Sequence, residues 1–540
     1  MESPDGGGVR GGLLLRQGWG CNTSQTRAAG VGGNRTPIDS ASWLCYAVVV
    51  FEGGWFQAKC CCGRSCMHIS RLLFLGCLLA EFPAAVCAQQ AVERPDIVVI
   101  LADDFGLLDG SPWGAPQGST PQLQQLAEAG LVFDQAFVAS PSCAPSRAAL
   151  LTGLWPARNG AESNHSRPHA SLRKWPAYFR ELGYETAAFG KVSHYKHTVE
   201  YGFDHFAHDT FHDHAGIQAA ADFLRSRRAA ADSAAMQPLC LMIGSNWPHV
   251  PWPELKAGEF VADSAVTLPA GSIDTAQTRH WRQRYLAAVR KLDEDLGLIV
   301  RAVREHLPGA IVVFSADHGA QWPLAKWNLY DAGIRTPLIV AWPGKIAPGR
   351  TSALVSWIDL LPTLVELAGG PGLSQVDGQS FVPVLRQSQA VHREVIFASH
   401  ANDNRMNVYP MRCVRTAGWK YIRNLRPDAA FTTHIDLVGG RLGQRAFFAE
   451  WEAKAATDTA AAVLLRRYHQ RPAEELYDLR ADPHEQVNLA EQGEHVAQLQ
   501  QLRLQLDDWL AATGDRLQTP AEPRLLNNSA DWGPGAAEAK

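Results

Sequence analysis

Four short apolar runs punctuate the chain, each bounded sharply by proline, glycine or charge. They are PDIVVILADD at 95–104, the AAF of GYETAAFGKVSH at 183–194, PLCLMIGSN at 238–246 and AIVVFSADHG at 310–319. None alternates polar and apolar positions, so the pattern predicts strands buried on both faces, as in a parallel sheet. TPLIVAWPG at 336–344 adds a fifth. Between these runs the period changes to that of a helix. TPQLQQLAEAGLVF (120–133) opens on a Thr cap and a Pro, and its Leu123, Leu126 and Ala127 share one face. A long charged helix is predicted over 274–307 and a shorter apolar one over 356–369. Strands alternating with helices predict an α/β fold over 89–375, with a large, mostly parallel central sheet covered on both faces.

Beyond PGLSQVDGQS (371–380) the runs shorten. VIFASH, MRCVRTAGWKYIRNL and EELYDLRADP read as strands joined by turns, followed by a terminal helix at about 492–511. This predicts a smaller α+β domain over 376–515 and a loose tail over 516–540.

The amino terminus has a different texture. Residues 1–66 are rich in Gly, Ser and Arg, lack periodicity, and include the run Cys60-Cys61-Cys62. They are read as an untranslated or disordered extension. Met67 and Arg71 then precede the apolar stretch LLFLGCLLA, and Val86-Cys87-Ala88 forms a small-residue cleavage pattern. This predicts a signal peptide over 67–88, too short to span a bilayer. The expected destination is the periplasm or the outside of the cell, or the lysosome in a eukaryote, without a membrane anchor.

At 540 residues the chain is long enough for a large core with a second, smaller one beside it. Its net charge of -4 gives no global attraction to nucleic acid or to an anionic membrane, so a polyanionic ligand needs a local basic site. From Gln89 onward only Cys143, Cys240 and Cys413 remain. Three thiols in an exported protein cannot all pair. Cys240 and Cys413 lie in apolar runs and read as core. Cys143 lies among Pro, Ser and Arg, where burial as a small hydrophobe is not expected, so it is a candidate for chemistry.

Two acidic dyads follow apolar strands: Asp103-Asp104 after IVVILA, and Asp317-His318 after IVVFSA. In a parallel sheet the carboxyl ends of strands are where ligands bind. Carboxylates gathered there repel unless a cation lies between them. Hard oxygen donors favour Ca²⁺ or Mg²⁺, and His318 leaves room for another divalent ion. Each dyad taken alone is equally compatible with capping a turn.

The segment CAPSRAALLTGL (143–154) resembles the signature of the type I sulfatases, and GYETAAFGKVSH resembles their second signature. SADHG and KWNLYDAGIRTP resemble two further blocks in the same order, and the resemblance runs from about 95 to 490. It implies an alkaline-phosphatase-like fold. It also implies that Cys143 is oxidised to formylglycine by a maturing enzyme that reads Pro145 and Arg147. One hydroxyl of the aldehyde hydrate would attack sulfur, and the second would let sulfate leave. By the same resemblance Asp103, Asp104, Asp317 and His318 would hold the metal with residue 143, and Arg147 would orient the hydrate. Lys191 and Lys326 would hold sulfuryl oxygens, His194 would take a proton from the hydrate, and His249 would contact the sulfate and protonate the leaving group.

The carboxy-terminal half resembles the sulfamidases, which cleave the N-linked sulfate of glucosamine in heparan sulfate, most of all at Tyr409-Pro410-Met411-Arg412. Arg412 is accordingly a candidate partner for a sugar carboxylate or sulfate, or else half of a structural ion pair. The chain departs from that pattern at Asp403-Asn404, where a His-Glu pair is expected, and in the spacing of Lys191 and His194. N- and O-sulfate therefore both stay open, as do a phosphate or phosphonate monoester hydrolase and a catalytically silent glycan-binding protein. Six histidines between His194 and His214 suggest zinc, but no cysteine joins them and the spacings match no ligand pattern, so a pocket rim is expected instead.

Overall fold

The computed structural model describes residues 94–517, apart from 117–118, 209–213, 230–235, 257, 260–265, 404–406 and 441–444. The expected signal peptide and the extension before it lie outside the described residues, as does nearly all of the expected tail.

The large sheet has nine strands: β1 (Ile97–Ala102), β2 (Leu131–Phe137), β3 (Glu185–Gly190), β4 (His205–Ala207), β5 (Leu239–Gly244), β6 (Ile311–Ala316), β7 (Arg335–Ala341), β8 (Gly349–Thr351) and β9 (Val355–Ser356). Their order is β4-β3-β5-β1-β6-β7-β2-β8, with β9 also on β2. The four unalternating apolar runs became β3, β5, β1 and β6, which are consecutive neighbours and mutually parallel. Every residue of β1, β5 and β6 is buried, as expected for strands with helices on both faces. β7 runs antiparallel to both β6 and β2, so the sheet is mixed.

One local expectation fails and another holds only in part, for physical reasons. The helix expected over 120–133 stops at Glu128, and Leu131, Val132 and Phe133 instead pair with β7. Gly130 ends the helix, and a bulky run beyond it finds more partners in the sheet than on a helical face. Thr120 does stand at the N-cap, as expected, but its side chain makes no capping bond. Its hydroxyl bonds Ser111, while Asp293 on the long Ala276–His306 helix accepts from the backbone of Gln122 and Leu123 at 3.0 and 2.9 Å.

The second sheet is antiparallel: β10 (Val395–His400), β11 (Met411–Thr416), β12 (Trp419–Asn424) and β13 (Glu474–Asp478). The terminal helix, Val496–Thr513, lays Leu499, Leu502, Leu506 and Trp509 on it, and Trp509 stacks on Phe397 at 4.9 Å. Between β12 and β13 the chain forms helices Arg445–Ala455 and Thr459–His469, which the strand-and-turn reading missed. The first leans on the long helix, where the Trp451 indole donates to Thr278 at 2.7 Å, and the second packs on the first. Both sheets lie within one compact unit.

Candidate active site

Adjacent parallel strands deliver their chemistry to one edge. Lys191 follows β3, His249 follows β5, Asp103 and Asp104 follow β1, and Asp317 and His318 follow β6. Hydrogen bonding continues one residue past the strand ends: Lys191 N donates to Gly244 O at 3.0 Å and Asp317 N to Ala102 O at 3.2 Å. Gly190 (φ 68°) and Gly244 make this close approach possible, because a Cβ on either would collide with the other strand's backbone. β2 runs in the same direction as β1 and β6, so its end leads to the same edge and into the helix Cys143–Thr152.

Cys143 is the first residue of that helix and is fully buried. The sequence reading did not expect it to be buried as a small hydrophobe, and its surroundings are indeed polar. Its Sγ lies 3.2 Å from His318 Nε2, 3.7 Å from Asp103 Oδ1 and 3.7 Å from Lys191 Nζ. Burial pushes the thiol well above its ordinary range, more strongly than Lys191 and Lys326 pull it down. Residue 143 as cysteine is thus held as the neutral thiol, a poor nucleophile.

Three carboxylates and three cations surround it, all buried. Lys191 Nζ contacts Asp103 Oδ2 at 2.5 Å, and Lys326 Nζ spans both oxygens of Asp104 at 2.8 and 2.7 Å. One helical turn after Cys143, the Arg147 guanidinium donates to Asp317 Oδ2 at 2.8 Å and lies 3.4 Å from Asp103 Oδ1. Burial opposes the charge on Asp103, but Lys191, His249 and Arg147 outweigh it and hold the carboxyl well below its usual range. Asp104 moves the other way: burial, aided by Asp103 and Asp317, raises it despite Lys326. Asp104 (φ 63°), Tyr195 (φ 52°) and Trp327 (φ 64°) are left-handed. Each such residue costs about 1–3 kcal/mol, strain of the kind that gathers at functional sites.

The histidines have assigned roles at one nitrogen each. His318 Nδ1 donates to Gly319 O at 3.0 Å, leaving Nε2 bare toward Asp104 Oδ1 (3.4 Å) and Asp317 Oδ2 (3.6 Å). His249 Nδ1 donates to Val250 O at 2.6 Å, and its Nε2 lies 3.8 Å from Asp104 Oδ2. His194 is buried beside Lys191, and its Nε2 meets His165 Nδ1 at 2.7 Å. Of the other histidines in that segment, His205 is exposed and pairs with Glu185 at 2.9 Å, and His214 stacks on Trp247. His212 lies outside the described residues.

Arg412 departs from its expected place as a substrate contact. It is buried, with Asp515 at 2.5 and 3.0 Å, Glu162 at 3.4 Å, and the carbonyls of His400 and Met411. Its donors are committed to the fold, so the structural ion pair, left open by the sequence, is what forms. Sequence reasoning missed Tyr195, whose ring lies 4.5 Å from Lys191 Nζ, and it missed His165. Tyr195 directly follows His194, but no residue pattern signals that a left-handed turn brings it inside.

Comparison with known proteins adds to this geometry. Residues 95–370, just over half the chain, match the family model described as Sulfatase. The chain belongs to the sulfatase family. A second model, described as N-sulphoglucosamine sulphohydrolase, C-terminal, matches residues 320–437. An ulvan-active sulfatase of Formosa agariphila is 30% identical, covering 79% of this chain and 82% of the relative. Human N-sulphoglucosamine sulphohydrolase is 28% identical over 78% and 91%, and a Bacteroides thetaiotaomicron Delta 4,5-hexuronate-2-O-sulfatase 27% over 84% and 98%. Among solved structures, one holding its substrate D-glucosamine-2-N,6-O-disulfate superposes with a TM-score of 0.59 at 19% identity, covering 80% of this chain and all of that one. The protein is thus a sulfuric ester hydrolase.

Sulfatases use a metal ion, and the residues present fit one. Asp103, Cys143, Asp317 and His318 offer ligand atoms within 4.8 Å of one another, all buried. Oxygen donors with one bare imidazole nitrogen suit a divalent cation, and a dication relieves the strain of the buried Asp104 carboxyl among negative neighbours.

Proposed function

We propose that this sulfatase removes the N-linked sulfate of glucosamine in heparan sulfate or heparin, using formylglycine at position 143. The placement of Cys143 against Asp103, His318 and Lys191 is the observation that carries the catalytic reading. Formylglycine supplies, as its hydrate, the hydroxyl nucleophile that a neutral thiol lacks, and a divalent cation, Ca²⁺ ahead of Mg²⁺, supplies positive charge beside it. Asp103, Asp104, Asp317 and His318 hold that cation. Arg147 keeps Asp103 and Asp317 in place. Lys191 and Lys326 place ammonium groups where sulfuryl oxygens gain charge. His194 accepts a proton from residue 143, and His249, with Nδ1 committed to Val250, uses Nε2 to protonate the leaving group.

Cys143, Pro145 and Arg147 are all buried in the folded chain. A maturing enzyme that reads them must therefore meet the chain before it folds, during export to the periplasm or outside.

The match of residues 320–437 supports the N-sulfate reading. The ulvan-active and 2-O-specific relatives favour a second reading, an O-sulfated sugar. Tyr409, Met411 and Arg412, on which the sulfamidase resemblance rested, are buried and report the fold of the domain rather than a sugar contact. A panel of heparin disaccharides with and without N-sulfate, alongside ulvan oligosaccharides, separates the two. Sulfate released from N-sulfated sugars supports the first, and release only from O-sulfated ones defeats it.

A further inference from the structure

Asp403, His165 and His194 form a hydrogen-bonded line that leads from the carboxy-terminal part of the chain into the active site. Asp403 Oδ1 lies 2.9 Å from His165 Nε2, and His165 Nδ1 lies 2.7 Å from His194 Nε2. The other oxygen of Asp403 accepts from Asn164 Nδ2 at 3.0 Å and from the Trp327 indole at 3.2 Å. Asn164 in turn accepts from the backbone N–H of Ala144 at 3.0 Å, and its own N–H donates to Asn402 O at 2.9 Å. Asp403 is thus tied to the helix that starts at Cys143, to the neighbour of Lys326, and to His194. His165 sits in the left-handed region, φ 64°, a conformation that aligns its ring between the two partners.

We propose that Asp403 and His165 are positioning residues that fix the tautomer of His194 and so make its Nδ1 the proton-accepting atom. A carboxylate only accepts, so His165 Nε2 carries hydrogen, and in the proposed arrangement its Nδ1 is the acceptor. His194 must then donate from Nε2, which leaves its Nδ1 without a proton. That nitrogen is buried and has no hydrogen-bond partner among the described residues. Burial, with the positive charge of Lys191, lowers the basicity of His194 and favours its neutral form, as a base requires. When His194 takes a proton, the line of bonds connects the new cation to Asp403⁻, the logic by which a third group orients and supports a catalytic base. The relay rests on the sulfatase reading above, because only that reading gives His194 a proton to accept.

The test uses Asp403→Asn and His165→Ala in the full, matured chain. An asparagine keeps the shape but donates to His165, which reverses every hydrogen along the line. The expected result for Asp403→Asn is a fall in kcat of about 100-fold with KM within about threefold and Tm retained. A purely structural role predicts the opposite ranking: Asn mild, Ala severe, and both read in Tm. Histidine-selective ¹⁵N NMR gives an arm independent of turnover, with His194 Nδ1 bare in the parent and protonated in Asp403→Asn. Parent enzyme that releases no sulfate would defeat the sulfatase reading while the NMR arm still decides the relay. A protonated His194 Nδ1 in the parent, or unchanged kcat in Asp403→Asn, would overturn the relay itself.

Discussion

Two buried charge clusters in this chain behave differently. In the active site Asp103, Asp104 and Asp317 meet Arg147, Lys191 and Lys326 around residue 143. At the seam between the sheets, Asp331 meets Arg415 at 3.0 Å and Lys420 at 2.6 Å, and Lys420 also holds Glu485 at 2.7 Å. Arg415 lies on β11 and Lys420 beside it on β12, while Asp331 ends the loop that carries Lys326. In the seam, burial pushes Asp331 up but Arg415 and Lys420 outweigh it and hold it well below its usual range. The active-site cluster keeps a raised acid, Asp104, and a bare imidazole nitrogen, so it has donor capacity left for a ligand. Buried charge is therefore no mark of function in itself. Position at the parallel strand ends and unspent donors are what separate catalysis from bracing.

The comparison breaks most visibly at its centre. Cys143→Ala should lower kcat/KM at least about a thousandfold with an unchanged melting transition, because the residue contributes chemistry rather than packing. Lys326→Met should follow, with a loss of about 100- to 1000-fold in kcat/KM from removing one charge aimed at the sulfuryl group. Unchanged kcat/KM in Lys326→Met would place both clusters in one class. In the seam the expectation inverts. Lys420→Met leaves Asp331 and Glu485 with one cation fewer, which should cost about 3–5 kcal/mol in denaturant unfolding while kcat of the folded enzyme stays within about twofold. Arg412→Gln should likewise lower Tm and leave KM alone, and a rise in KM without loss of stability would restore Arg412 as a sugar contact.

The smallest effect is a pH dependence of stability. His400 is buried and His434 is half-buried against the Trp327 ring, and the loss of water around them pushes both down to about 4 from an ordinary 6.5. Above pH 6.5 both are neutral whether folded or unfolded, and their contribution to stability is fully present. As pH falls from 6.5 toward 4 the unfolded chain binds protons that the folded chain refuses, so stability drops across that window. Tm measured at pH 7 and pH 5 should differ accordingly, and His400→Gln should flatten the slope. A Tm constant across the window would contradict the depressed basicity of these rings.

Much of this was legible beforehand. The four unalternating apolar runs became the four parallel strands, because strands covered on both faces leave no polar positions to confuse the period. The dyads Asp103-Asp104 and Asp317-His318 converge because β1 and β6 are neighbours in register, which alternating strand–helix order makes natural. What escaped notice depended on long-range partners. Leu131-Val132-Phe133 read as helix until β7 offered a pairing edge. Asp403 is 238 residues from His165, and neither carries a local pattern that names the other. Tyr195 enters the site only through a left-handed turn. Arg412 was correctly seen as a charge needing a partner, but Asp515, its partner, lies 103 residues away in a terminal segment without periodicity.

The central claim is that residue 143 works as an aldehyde hydrate within the first of the two clusters. Preparations with different degrees of maturation provide its most direct test. In each, the fraction of chains carrying formylglycine at position 143 is measured by peptide mass spectrometry, and sulfate release from sulfated disaccharides is measured on the same material. The account predicts a turnover proportional to the aldehyde fraction and passing through zero. Full turnover from chains that carry only the Cys143 thiol would contradict it.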